Sequence, residues 1–180
     1  LALAAGELAR AAVGVALDVA LALARHAISW TATELTPNHR QWLADLAQGP
    51  LVVDDLVEIC HGAPFDEDVY IFDDLDAMRA IRASRRPLCL FGHTHVVAAF
   101  HVNDEMRSIA HLRTTQLEIA GDDSHFLVNC GAVGQPRDGD PRAAYGLLDT
   151  DARTLLMKRV DYDVQAAQAK ILGAGLPDVL

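Results

Sequence analysis

The sequence predicts a mixed fold of helices and strands, in the α/β (α+β) class. Short apolar runs bounded by Gly, Pro, Asp or Asn recur after residue 50 and are typical of strands. Helix-capping residues precede longer segments before, between and after these runs. Because 180 residues are enough to bury a substantial core, we treat residues 1–180 as a single domain.

The first half of the chain predicts helices and one hairpin. Thr36 and Pro37 have the residue types of an N-cap and a first helical position, so a helix begins there and ends before Gly49. A helix over 74–84 has an acidic cap and arginines at its C-terminal end, where positive charge suits the helix dipole. The other elements predicted here are a helix within 2–28, a hairpin of 51–53 and 56–60, and an extended segment over 69–72.

The second half predicts mainly strands, followed by one helix over 164–172 that Asp163 caps and Gly173 ends. Turn residues join the strands in successive pairs, and the last pair closes a hairpin. The predicted strands are 88–91, 96–102, 106–112, 117–119, 125–128, 144–148 and 155–160.

Charge and hydropathy exclude two classes of partner. A formal net charge of −10 disfavours nucleic acid, since sequence-independent binding needs Lys and Arg to neutralise phosphates. The longest uncharged run near the start, residues 11–17, is much shorter than the roughly 20 apolar residues of a membrane span. Near its start the sequence shows no basic segment followed by an apolar one, which is the pattern that indicates a secretory signal. We therefore expect no membrane partner, and a phosphate-handling site would need positive charge from metal ions.

The three cysteines predict a reducing compartment. The number of cysteines is odd, and no two of them have the close spacing of metal ligands. Each lies within or beside a predicted apolar strand: Cys60, Cys89 and Cys130. We interpret them as reduced core residues of a cytoplasmic protein. A Cys60–His61 zinc site is disfavoured, because alternation along a strand points neighbouring side chains to opposite faces.

Histidines follow two of the predicted strands where these end. His93 and His95 come directly after an apolar run and Gly92, and His61 follows another apolar run. In an extended backbone, residues i and i+2 face the same side, so His93 and His95 can aim two imidazoles at one place. Imidazole is the commonest metal-ligating side chain. The pattern predicts a metal site, with surface-loop histidines as the alternative.

Three stretches resemble the calcineurin-like metallophosphoesterases, and more narrowly their small bacterial phosphodiesterase-type branch. The similarity runs from about residue 24 to about residue 160, in the order of the family, with Cys130 in place of a usual Pro and Ala132 in place of a frequent Ser. The stretches are Cys60-His61-Gly62-Ala63-Pro64, Gly92-His93-Thr94-His95, and residues 128–140 from Val128-Asn129-Cys130-Gly131 to Asp138-Gly139-Asp140.

This resemblance implies a four-layer α/β/β/α sandwich, of which the chain would supply mostly the second sheet with flanking helices. It implies two divalent metal ions, of unknown identity among Mn²⁺, Fe²⁺, Zn²⁺ and Ni²⁺, and phosphoester hydrolysis by a hydroxide between them. His95 would bind one ion, and His61 and His93 the other. The loop after residue 128 either lines a phosphate pocket or packs beneath the metal loops, and the candidate pocket residues are Gly62, Gly92, Asn129 and Arg137.

Three further motifs of the family, Asp-x-His, Gly-Asp and Gly-Asn-His, are not in this sequence, so we identify no catalytic residue. Asn38-His39 lies inside a predicted helix, and Asp123-Ser124-His125 lies in a turn between late strands, so we reject both as ligands. The chain resembles the C-terminal part of an incomplete phosphoesterase domain with about half of its metal ligands. We therefore expect impaired activity.

Two other functions remain open from the sequence. A mononuclear zinc enzyme can use a His-x-His pair with a distant third His, and a non-catalytic remnant could serve as a binding module. As an enzyme, the chain is expected to act on a small phosphoester or a nucleotide, and formation of a homo-oligomer is also open.

Overall fold

The computed structural model describes residues 21–103, 109–119 and 124–178. The part of the predicted first helix before residue 21, and the predicted turns within 104–108 and 120–123, lie outside the described residues. The chain divides into two compact units, one of Leu1–Leu46 with Gln165–Leu180 and one of Ala47–Val164. We describe each unit by itself.

The first unit is helical in its described residues. Residues 21–34 are helical (α1), and α2 follows as Pro37–Ala44. Thr36 caps α2 as predicted, because its hydroxyl accepts a hydrogen bond of 3.2 Å from the amide of His39. The last helix, α4, runs over Val164–Gly173 as predicted. None of the described helices is both long enough and apolar enough to cross a membrane.

The described residues of the second unit form two sheets and one helix. In the larger sheet the strand order is β1-β2-β3-β7-β4-β5, with β2, β3 and β7 parallel and the other pairs antiparallel. The predicted hairpin is confirmed, since Leu51 of β1 pairs with Ile59 of β2. The strands of this sheet are β1 Leu51–Val52, β2 Val57–Ile59, β3 Leu88–Leu90, β4 Ala98–Asn103, β5 Ile109–His111 and β7 Ser124–Asn129.

The smaller sheet has the order β6-β9-β8 and contains the predicted last hairpin. Its strands are β6 Gln116–Glu118, β8 Ala143–Asp149 and β9 Thr154–Val160. Strands β6 and β7, which the sequence joins by a turn, lie in different sheets, because β6 pairs with β9 while β7 pairs with β3 and β4. The predicted extended segment over 69–72 belongs to neither sheet.

Alternation along the central strands gives the larger sheet two apolar faces. Cys89 and Leu127 face one buried cluster, and Leu88 and Val128 face the other. The first cluster includes Ala77, Ala80 and Ile81, which belong to the helix described for this unit. The second cluster includes Leu117, Leu155 and Met157 of the smaller sheet. The larger sheet is therefore packed on both faces, which confirms the predicted α/β fold with two sheets.

The helix on this sheet, α3, runs over Asp74–Ala83, and a carboxylate binds the chain at each end of it. Asp73 is the predicted acidic N-cap, since it accepts hydrogen bonds of 2.9 Å from two amides of the first turn. Glu58, fully buried on β2, accepts hydrogen bonds from the hydroxyl of Ser84 and, at 2.9 Å, from the amide of Arg85. The carboxylate thus fastens the end of α3 to the sheet.

The cysteines form no disulfide, as predicted. The sulfur atoms of Cys60 and Cys89 lie 3.6 Å apart in the core. The hydrogen bond with Cys89, together with burial, raises the pKa of Cys60 above its ordinary value. Since the thiolate is the reactive form, Cys60 is an inert structural thiol.

Asn129, the last residue of β7, holds the loop that follows β3. Its amide nitrogen donates to the carbonyl of Gly92 at 2.8 Å and to the hydroxyl of Thr94 at 2.9 Å. Its oxygen accepts from the amide of Gly131 at 2.8 Å. The side chain is fully buried, so these bonds have no competition from water.

We expect Asn129→Ala to lower the free energy of unfolding by about 2–4 kcal/mol, because it leaves buried polar groups of two loops without partners. Chemical denaturation followed by circular dichroism measures this. Asn129→Asp keeps the acceptor but removes the donor, so it should also be destabilising at neutral pH. The exposed Gln116→Ala is the matched control and should change stability by less than about 0.5 kcal/mol. Equal stability of Asn129→Ala and the control would show that this clamp is dispensable.

Candidate metal and phosphate site

Parallel pairing of β2 and β3 brings two histidine-bearing loops together. The carboxyl ends of both strands lie at the same edge of the sheet, and the amide of Gly92 donates to the carbonyl of His61 at 2.8 Å. The side chains of His61 and His93 then meet, with Nε2 of His61 2.9 Å from Nδ1 of His93. Of the three loop histidines expected to converge, His61 and His93 therefore do so, and the convergence of His95 with them stays a prediction.

The backbone of the second loop differs from the prediction. The sequence predicted that His93 and His95 share a side through an extended backbone, but both have positive φ, 64° and 59°. The amide of Thr94 donates to the carbonyl of Gly92 at 2.7 Å, which closes a tight turn around His93. Positive φ in a non-Gly residue is strained and persists only where surrounding contacts hold it. The Asn129 bonds to Gly92 and Thr94 are such contacts.

His95 is oriented by a different partner. Its Nδ1 lies 2.8 Å from the carbonyl oxygen of Gln135, and its own carbonyl accepts from the amide of Arg137 at 3.1 Å. A carbonyl oxygen can only accept, so Nδ1 carries the proton and Nε2 keeps its lone pair. Metal-ligating histidines commonly have this arrangement, with a backbone carbonyl fixing the other ring nitrogen.

Electrostatics favour the neutral form of His93. Partial burial, followed by the nearby imidazole of His61, lowers the pKa of His93, while the backbone and carboxylate of Asp68 oppose the shift. A metal ion binds only the neutral imidazole, so the lowered pKa favours the ligating state.

The His61–His93 pair fits one metal ion, but the described residues do not complete a coordination shell. Two nitrogens bound to one ion at about 2.1 Å lie about 3.0–3.4 Å apart, close to the observed 2.9 Å. Over residues 21–103, 109–119 and 124–178, no group of three or more His, Cys, Asp or Glu side chains is arranged to hold an ion.

Backbone packing accounts for one of the two glycines among the candidate pocket residues. A Cβ on Gly62 would lie 2.4 Å from the carbonyl oxygen of Glu67 and 2.6 Å from that of Val69, so Gly62 allows two loop segments to approach closely. A Cβ on Gly92 would lie 3.4 Å from the carbonyl oxygen of His61, which is an ordinary contact. Close packing therefore does not require glycine at position 92.

The other two candidate pocket residues differ in what they can still bind. Every polar atom of the Asn129 side chain already has a partner in the loops, which favours the packing interpretation of this residue. Arg137 is exposed and donates to the side chain of Gln135 at 3.1 Å, leaving other guanidinium donors available. Of these two side chains, only that of Arg137 has free donors for a phosphate, and this role stays a prediction.

Sequence reasoning missed an aromatic neighbour of the histidines. The ring of Tyr70 lies on that of His93 with centroids 3.8 Å apart, and Phe72 stacks on Tyr70 at 5.3 Å. The signal was available, because residues i and i+2 of the predicted extended segment share a face.

A surface depression has His61 in its lining. It has a volume of about 270 Å³ and lies within the second unit. Its lining combines apolar side chains with His61 and one carboxylate: Ala47, Gly49, Leu51, Ile59, Cys60, His61 and Glu67.

Comparison with models of known protein families found no match. Among curated proteins, the chain is 28% identical over 162 residues to uncharacterized protein MJ0912 of Methanocaldococcus jannaschii, covering 86% of this chain and 62% of that protein. Among solved structures, it is similar to a metallophosphoesterase from Sphaerobacter thermophilus, with 34% identity and a TM-score of 0.71, covering 83% of this chain and 63% of that one. Hypothetical protein PH1004 of Pyrococcus horikoshii, at 17% identity and a TM-score of 0.57 over 79% of this chain and 52% of that one, shares the fold alone.

The chain thus spans a little over three-fifths of the length of the first two of these relatives. The structure comparison confirms the predicted resemblance: at 34% identity, this chain is similar in sequence and in its α/β fold to a metallophosphoesterase.

Proposed function

We propose that the protein is a metal-dependent phosphoesterase that hydrolyses phosphomonoesters or phosphodiesters at the site formed by the His61 and His93 loops. The contact of 2.9 Å between their ring nitrogens supports this proposal, because two imidazoles, the commonest metal-ligating side chains, meet at one edge of a metallophosphoesterase-like fold. Bound divalent ions supply an activated water and offset the negative charge of the phosphoryl oxygens.

Each histidine has a distinct part in this proposal. His61 and His93 would hold one ion through the two ring nitrogens that meet, and the lowered pKa of His93 favours its neutral, ligating form. His95 would hold a second ion through Nε2, and the carbonyl of Gln135 orients its ring. The histidine loop is in turn fixed by Asn129, so the ligands are oriented before an ion arrives.

The sequence also limits what these 180 residues can do by themselves. Before His61, where the family it resembles carries the motifs Asp-x-His, Gly-Asp and Gly-Asn-His for the remaining ligands, the sequence contains none of them. Without a carboxylate that bridges two ions, their separation is not fixed. We therefore propose that this chain alone binds metal loosely and is a poor catalyst.

Metal titration tests the site directly. We expect His93→Ala and His61→Ala each to weaken Mn²⁺ or Zn²⁺ binding at least tenfold in calorimetry, because each removes a nitrogen donor of the facing pair. His39→Ala is the matched control, since His39 is exposed on α2, and it should bind like the parent chain. Unchanged binding in both loop variants would reject the site. One tightly bound zinc ion lost on any of the three loop histidine substitutions would favour a mononuclear zinc protein.

Activity measurements test the incomplete shell. We expect slow turnover of p-nitrophenyl phosphate and bis-p-nitrophenyl phosphate by the 180-residue chain with Mn²⁺, because a positioned general acid contributes about 10²–10⁴-fold and is not identified here. Fast turnover that His95→Ala abolishes would contradict this expectation. It would mean that residues rejected as ligands, such as His39 or Asp123, complete the site.

A further inference from the structure

The proposed function leaves one feature beside the histidines unused, a ladder of aromatic rings. We define the aromatic ladder as Tyr70 and Phe72. Tyr70 lies on His93 with ring centroids 3.8 Å apart, and Phe72 stacks on Tyr70 with the two planes only 7° apart. The rings therefore lead outward from the proposed metal-binding pair to the surface.

A buried side chain and a backbone hydrogen bond hold the segment that carries the aromatic ladder. Ile71, between the two rings in sequence, points the opposite way and is 2% exposed in the cluster around α3. The amide of Phe72 donates to the carboxylate of Asp76 at 3.4 Å. Alternation thus buries one side chain as an anchor and places its two aromatic neighbours on the outer face. The rings are held by the core, so a ligand stacking on them would not have to order this segment.

Phe72 is exposed, and a role in supporting the ring of His93 does not explain why an aromatic side chain stands there. Tyr70 alone covers the ring of His93, yet Phe72 continues the stack and is 69% exposed. An exposed aromatic face of this kind, next to a site, suits a planar ring of a ligand, since stacking of a base on an aromatic side chain contributes about 1–3 kcal/mol.

Charge around the aromatic ladder bears on the phosphate of a ligand and not on its ring. The residues that precede it, Asp66, Glu67 and Asp68, are exposed acids that repel a phosphate. Bound ions would therefore have to hold the phosphate, whereas stacking on the uncharged rings of Tyr70 and Phe72 does not depend on charge.

We propose that the aromatic ladder binds the ring of an aromatic phosphoester, a mononucleotide or an aryl phosphate, whose phosphate lies toward His61 and His93. This rests on the proposed function and adds the substrate class to it. Phe72 contacts the ring of the ligand, and Tyr70 connects that contact to the histidine pair.

Calorimetric binding of three related compounds separates ring recognition from phosphate recognition. AMP carries base and phosphate, ribose 5-phosphate lacks the base, and adenosine lacks the phosphate. With Mn²⁺ present, we expect AMP to bind about tenfold more tightly than ribose 5-phosphate. Phe72→Ala should remove this preference, and Phe72→Leu should remove most of it, because an apolar side chain without a ring cannot stack. Tyr145→Ala, which removes a partly exposed aromatic ring of β8, is the matched control and should keep the preference.

The outcomes distinguish this inference from the proposed function. Equal binding of AMP and ribose 5-phosphate, or an AMP preference that survives Phe72→Ala, overturns the aromatic site while leaving metal-dependent phosphate binding intact. Binding of AMP and adenosine alike, with EDTA as well as with Mn²⁺, supports the ring contact but rejects the metal site. If none of the three compounds binds, both are rejected. Phenyl phosphate binding as tightly as AMP would identify the ring alone as the recognised group, and weaker binding would identify the nucleotide base.

Discussion

The parallel pairing of β2 with β3 is the constraint on which the site depends. It aligns the carboxyl ends of two strands from distant parts of the chain, and the Gly92–His61 backbone bond continues the pairing beyond the strands. The imidazoles of His61 and His93 meet only because both loops leave the sheet at this edge. Catalytic groups gather at such edges because a rigid sheet fixes the start of each loop.

Around this edge the protein stores local strain and holds it with buried contacts. The positive φ values at His93 and His95 each cost about 1–3 kcal/mol for residues other than glycine. The hydrogen bonds of Asn129 to Gly92 and Thr94, and the carbonyl of Gln135 at His95, offset that cost. These contacts keep the side chains of His93 and His95 in place, which reduces the ordering that binding of an ion would require.

The described chemistry of the site divides between the chain and what it would bind. The chain contributes imidazole nitrogens, a stacked pair of aromatic rings and a formal net charge of −10. Under the proposed function, the positive charge that offsets a phosphate would therefore come mainly from metal ions. Tyr70 connects the histidine pair to the exposed ring of Phe72, because its ring contacts both His93 and Phe72.

The sequence by itself determined the elements whose signals are local: the Thr36 and Asp73 caps, the hairpins and the histidines at two strand ends. Only the tertiary structure decided which strands pair, so that β6 and β7 lie in different sheets, and that the His93 loop is left-handed rather than extended. Capping and turn formation depend on a few neighbouring residues, whereas strand order and loop strain depend on contacts between residues far apart in the chain. Asn129 shows the difference. From the sequence, its loop could either line a phosphate pocket or pack beneath the metal loops. In the structure its amide makes hydrogen bonds to Gly92, Thr94 and Gly131, which favours packing.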